Sequence, residues 1–116
     1  MNREIEFRGK HSDKWVYGYL LKNVDDNKFY ITVSIDQFYQ VKDNTIGQYT
    51  GLKDENGKKI FEGDIVSYTI GKPNGDSVDV EKEVVKFDYM QLVQLEHSSY
   101  LKVIGNIYED YLESQV

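Results

Sequence analysis

Two histidines, His11 and His97, and four acidic pairs are the side chains in this chain best suited to acid, base or metal chemistry. The pairs are Asp25 with Asp26, Glu62 with Asp64, Asp76 with Asp79, and Glu109 with Asp110. A histidine-based metal site or a nucleophilic triad needs three or four converging groups, and two histidines without any cysteine are too few to build one. His11 stands in a polar turn and His97 beside Ser98 and Ser99, so both read as ordinary surface residues. Glu62 and Asp64 flank Gly63 on a turn and could hold Mg²⁺ or act as paired carboxylates if further ligands came from elsewhere. The plainer reading is that Asp64 hydrogen-bonds the backbone of its own turn. Gly71-Lys72-Pro73-Asn74-Gly75-Asp76 has the glycines of a phosphate loop without its spacing or its following helix. No catalytic residue, metal or cofactor is expected, and the chain reads as a non-enzyme.

The aromatic residues carry the stronger signal. Ten tyrosines are many for a chain of 116 residues. Trp15, Tyr17, Tyr19 and Tyr30 are the candidate interaction surface, and three readings stand beside one another. Tyr17, Tyr19 and Tyr30 on adjacent strands could stack the bases of single-stranded nucleic acid, because stacking tolerates any sequence. They could form an oligomer or partner interface, where the ring buries area while the hydroxyl finds a hydrogen bond. They could also line one half-buried face of an ordinary sheet.

Strands must position these residues. Ile5 and Phe7 alternate with Glu4, Glu6 and Arg8, the period of two that marks a strand with one buried face. Lys14–Leu21 follows, with Trp15, Tyr17, Tyr19 and Leu21 on one face and Val16, Gly18 and Leu20 on the other. Asp25-Asp26-Asn27 turns the chain into Lys28–Ser34, where Phe29, Ile31 and Val33 alternate. Ile35–Asn44 reads as loop or 3₁₀ turn, too short for a confident helix. Thr45–Thr50 and Ile65–Ile70 are expected strands, and the only proline marks a loop before a strand over 80–88. The apolar phase changes between Glu83 and Val85, which predicts a β-bulge near Val84. Leu92–Glu96 and Leu101–Tyr108 are the last expected strands, and 109–116 is read as a short helix or a frayed end.

Residues 48–64, QYTGLKDENGKKIFEGD, hold the densest local pattern. Asn56-Gly57 tolerates positive φ and reverses the chain between Leu52 and Ile60-Phe61, and Gly63 marks a bend where a strand enters a sheet. This block, continued by Ile65 and Val66, together with VIGNIYED some forty residues later, resembles the YopX family of small phage and prophage proteins. The resemblance rests on Gln48, Tyr49, Thr50, Gly51, Leu52, Asp54, Gly57, Ile60, Glu62, Gly63, Asp64, Ile65 and Val66, then on Ile104, Gly105, Asn106, Ile107, Tyr108 and Glu109. The opening REIEFRGK and KWVYGYL fit as well. One departure is visible, since Asp110-Tyr111 stands where the family places an Asn-Pro turn. The resemblance implies one small, mainly β domain over 1–116, divisible near residues 47 and 48. It also implies a self-associating phage protein without assigned catalytic residues, whose motif positions are structural.

Composition limits the remaining classes. The net charge of −6 lies wholly in the second part, because residues 1–50 hold seven basic and seven acidic side chains while residues 51–116 hold seven and thirteen. That balance disfavours nucleic acid as a partner, whose binding comes chiefly from a basic surface. A patch from Arg3, Arg8, Lys10, Lys14 and Lys22 would be the exception. No apolar run approaches the ~20 residues of a membrane span, and the start lacks a signal-peptide core. The absence of cysteine fits a reducing bacterial cytoplasm. The expected fold is all-β, a small barrel or sandwich of about eight short strands with an SH3-like C-terminal part and at most a short helical turn. The expected function is a homo-oligomeric interaction module that binds a host or phage protein; the alternative is a nucleic-acid-associated protein using the basic N-terminal strand and neighbouring tyrosines.

Overall fold

A computed structural model describes residues 4–109. The chain divides into two compact units, Met1–Tyr49 and Thr50–Val116. In the first unit, β1 (Phe7–His11), β2 (Lys14–Lys22), β3 (Phe29–Ser34) and β4 (Gln37–Gln40) form an antiparallel meander, followed by a 3₁₀ turn at Asp43–Thr45. The strand β5 (Gly47–Lys53) starts against β1, pairing Gln48 with Phe7 and Gly47 with Arg8. The expected alternation in β2 is present, and Ile31 of β3 is fully buried.

The meander is strongly curled, because the end of β4 is tied back to β1. Lys42 N–H donates to Lys10 O at 3.0 Å, Lys10 N–H to Thr45 Oγ1 at 2.9 Å, and His11 Nδ1 lies 2.8 Å from Gln40 O. Two glycines permit this closeness. A Cβ on Gly18 would stand 2.1 Å from Thr32 O, and one on Gly9 would stand 2.9 Å from Val41 Cβ. Val41 and Ile31 are buried on the inner side of the curl, and Tyr17 and Tyr19 face outward.

The second unit holds the rest of β5, β6 (Lys59–Phe61), β7 (Asp64–Gly71), β8 (Ser77–Val84), α1 (Tyr89–Glu96) and β9 (Ser99–Asn106). β7 is central, flanked by β8 and β9, and Asp64, Val66 and Tyr68 are buried at alternate positions along it. Its core joins Ile60, Val66, Tyr68, Val85, Leu92, Leu95 and Leu101. Burying a side chain of this size contributes about 1.5–3 kcal/mol.

The Asn56-Gly57 reversal is a turn in which Gly57 N–H donates to Asp54 O, and Gly57 alone takes the positive φ of 82°. Its companion Gly63, at φ 95°, lies where a Cβ would come within 3.0 Å of the Tyr108 ring. This turn also protects a sheet edge: Glu55 N–H donates to Leu101 O, and Asp54 Oδ2 accepts Val103 N–H on the outer side of β9.

By hydrogen bonding the strands form a six-stranded and a three-stranded sheet, neither closed into a barrel. The class is the expected all-β one, with nine strands among the described residues and three local corrections. Leu92–Glu96 lies in a helix, not a strand, because Asp88 Oδ1 caps it by accepting Met90 and Gln91 N–H, and Leu92 and Leu95 point together into the core. Residues 37–40 form a strand where a loop or 3₁₀ turn was expected, and the 3₁₀ turn falls only at Asp43–Thr45. The bulge lies at Glu81-Lys82 instead of Val84, since Val66 pairs with Glu83 and Tyr68 with Val80.

Candidate interaction surface

Strand register determines which aromatic residues meet. Arg8 is opposite Tyr17, Lys10 opposite Trp15, Tyr19 opposite Thr32, Thr32 opposite Phe38, and Leu21 opposite Tyr30. Residues paired in this way share a face, so Trp15, Tyr17, Tyr19, Tyr30 and Phe38 all lie on the outer side of the curl. They are unequally exposed. Tyr17 is 44%, Tyr19 67% and Phe38 54% exposed, whereas Trp15 and Tyr30 are half-buried.

The two half-buried rings are engaged locally. Arg8 Cζ stands 4.5 Å and Lys10 Nζ 5.2 Å from the Trp15 ring centroid, so both cations lie over its π face. The Tyr30 hydroxyl donates to Asp26 Oδ2 at 2.6 Å. That bond, helped by Lys28 N–H, holds the Asp26 carboxyl below its ordinary value, and Asp26 in turn raises the Tyr30 phenol. Of the four residues singled out from the sequence, Tyr17 and Tyr19 are therefore the more exposed pair. Phe38 joins them and was missed, because its segment has two adjacent aromatics and no alternation.

The expected basic patch is dispersed. Arg3 lies outside the described residues, and Arg8 is only 4% exposed. Lys14 and Lys22 occupy opposite ends of β2, about 27 Å apart at the rise of an extended strand.

The motif residues act as fasteners in the second unit and at its border. Thr50 Oγ1 donates to Ile60 O at 2.7 Å, and buried Asp64 accepts Phe61 N–H on Oδ2 at 2.8 Å. Asp54 Oδ1 accepts Asn56 and Lys58 N–H, each at 2.9 Å. Burial pushes the Asp54 carboxyl up, but its bonds from Val103, Lys58 and Asn56 together hold it below the ordinary value. Asn106 Oδ1 accepts Tyr108 and Glu109 N–H, closing the turn after β9. Tyr49 is buried, Gln48 and Leu52 are half-buried in β5, and Gly51 takes a φ of 90°. Glu62 and Gly105 are respectively half-buried in the turn before β7 and in β9.

The remaining chemical candidates are scattered. His11 packs edge-on against Tyr39 at 5.3 Å, and His97 ends α1. Asp79 accepts Thr69 Oγ1, Asp76 is held in the Asn74 turn, and Asp110 lies outside the described residues. Among the described residues no three His, Asp or Glu side chains are placed to share a metal ion.

A polar network unforeseen from the sequence joins β7, β8 and α1. The Tyr68 hydroxyl donates to Glu83 Oε2 at 2.6 Å and accepts from Gln94 Nε2 at 2.7 Å, while Gln91 Nε2 donates to Glu83 Oε1 and Val84 O. Burial, then Glu83, pushes the Tyr68 phenol upward. Every member bonds another, so the network anchors the helix. In the sequence, Asp88 ahead of Tyr89–Glu96 is a helix N-cap residue, a signal for the helix but not for the network.

Comparison with curated proteins and with solved structures gave no match. No helix among the described residues is long and apolar enough to cross a membrane. The family model described as YopX protein matches residues 6–112, nearly the whole chain and both motif blocks, so this protein belongs to the YopX family.

Proposed function

We propose that this protein is a non-enzymatic accessory protein of phage or prophage that acts in the bacterial cytoplasm as a self-associating interaction module. The observation that carries the reading is the outer face of β2–β4, where Tyr17 and Tyr19 on β2 and Phe38 on β4 stand exposed on the two strands that flank β3. Aromatic rings displayed on a rigid sheet bury large area at little cost in side-chain entropy, and tyrosine adds a hydrogen bond at the rim. The first occupant is a second copy of the chain, and the assembled oligomer then presents the surface that engages a host or phage protein. The side chains of Asp54, Asp64 and Asn106 support a docking role over a chemical one, because each accepts backbone N–H groups, Asp54 from its own turn and from Val103 on β9.

The competing reading is a nucleic-acid-associated protein using the N-terminal strand and tyrosines. Burial of Arg8 beneath this face weakens it, because a phosphate contact requires an accessible cation. Light scattering of wild type and a Tyr19→Arg, Phe38→Glu variant separates the two. A discrete oligomer that dissociates in the variant, with no retention on single-stranded DNA, is the expected outcome. A monomer at all concentrations, or salt-sensitive retention on DNA, would overturn the module.

A further inference from the structure

We propose that the first unit holds a second, separate site, a cleft that binds a small phosphorylated ligand of nucleotide size. The cleft is a shallow, open one of about 340 Å³ where β3 begins and β4 ends, and Asn27, Lys28, Phe29, Lys42, Asp43 and Asn44 are among the residues that line it. Its volume lies at the small end of ordinary ligand sites. Lys22, directly opposite Phe29 on β2, brings its Nζ to 5.4 Å from the Phe29 ring centroid. Lys28 and Lys42 thus line the cleft and Lys22 stands over the half-buried ring of Phe29, on a protein whose net charge is −6.

These cations are available. Among the described residues none of Lys22, Lys28 and Lys42 forms an ion pair with a carboxylate. Asp26 attracts Lys28 at longer range, but its oxygens are committed, Oδ1 to Lys28 N–H at 2.9 Å and Oδ2 to the Tyr30 hydroxyl at 2.6 Å. Asp43 is the single carboxylate in the lining. Local positive charge in a concave site of an acidic protein selects an anion, and the compact ammonium suits phosphate as a point charge. The half-buried Phe29 ring offers a planar group apolar contact, and Asn27 and Asn44 supply amide donors and acceptors for its edges. The rim is already shaped before binding: Asn27 N–H donates to Asn23 O, Asn23 N–H donates to Lys28 O, and Asn27 takes a φ of 60°. A preformed rim reduces the ordering cost of binding.

The test uses the full chain with adenosine 5′-monophosphate as the probe, followed by amide NMR at low ionic strength. The monophosphate is expected to bind at sub-millimolar Kd and shift the signals of Lys28, Phe29 and Lys42. Inorganic phosphate should shift the lysines more weakly, and adenosine should leave them unmoved. Replacing two exposed lysines, Lys28→Ala with Lys42→Ala, should weaken binding about tenfold without altering the circular dichroism. Tyr19→Arg on the outer face should leave it unchanged, which separates this site from the docking surface. No shift at about 5 mM monophosphate, equal binding by the lysine variant, or binding of a long oligonucleotide alone would overturn the proposal.

Discussion

Asp54→Ala is the most severe test of how the second unit is held together. One carboxylate, 8% exposed, accepts three backbone N–H groups, two inside its own turn and one from Val103 on β9, 49 residues away. Its loss strands all three donors. The Asn56 and Lys58 amides belong to exposed residues and can turn to water, so each should cost about 0.5–1 kcal/mol. Val103 is half-buried on the protected edge of β9, and its unmade bond to a charged acceptor should cost about 1–3 kcal/mol. The sum is about 2–5 kcal/mol, a large share of the 5–15 kcal/mol that stabilises a typical domain. Urea unfolding followed by circular dichroism measures the loss, while the fluorescence of Trp15, the only tryptophan, reports the first unit separately. The pH dependence supplies a second reading with a definite sign. The folded carboxyl sits below its ordinary 3.8, so its contribution is complete above that value and disappears as pH falls through the folded one. Wild type should therefore lose stability on acidification below about pH 4, and the variant should lose less. A change under about 0.5 kcal/mol, or an unaltered acid limb, would refute the view that this side chain ties the turn to β9.

Other expectations follow from the same contacts. Gly18→Ala should unfold or grossly destabilise the first unit, because its methyl would meet Thr32 O at 2.1 Å; a stably folded variant by Trp15 fluorescence would contradict the β2–β3 packing. Tyr68→Phe should cost about 1–2 kcal/mol and loosen α1, read as faster amide exchange in 89–96, since Glu83 and Gln94 both lose their shared partner. The raised Tyr68 phenol contributes below its ordinary 10.0 and ceases to as pH climbs past the folded value, so wild type, but not Tyr68→Phe, should weaken further in strong alkali.

Legibility varied along the chain for identifiable reasons. β2, β3 and β7 were readable because they are dense in β-branched and aromatic residues, and in β7 Asp64, Val66 and Tyr68 are buried at every second position. The Asn56-Gly57 and Gly63 turns were readable because backbone conformation there demands glycine. β4 was obscure, since Gln37-Phe38-Tyr39-Gln40 has no alternation and becomes a strand by pairing with β3. α1 was obscure for a different reason. Eight residues cannot sustain a helix unaided, and this one stands on its Asp88 cap, two core leucines and the glutamines bonded to Glu83 and Tyr68.

The amino-acid sequence by itself determined the glycine turns, the all-β class and the family, because each depends on neighbours within a few residues or on motif spacing. Tertiary structure decided which aromatic rings face water and which lie under cations. It also set Phe38 and Tyr19 on either side of Thr32 and placed Lys22 over the Phe29 ring. Those outcomes depend on register and curl, and register arises from pairings between residues distant in the chain that no local pattern encodes.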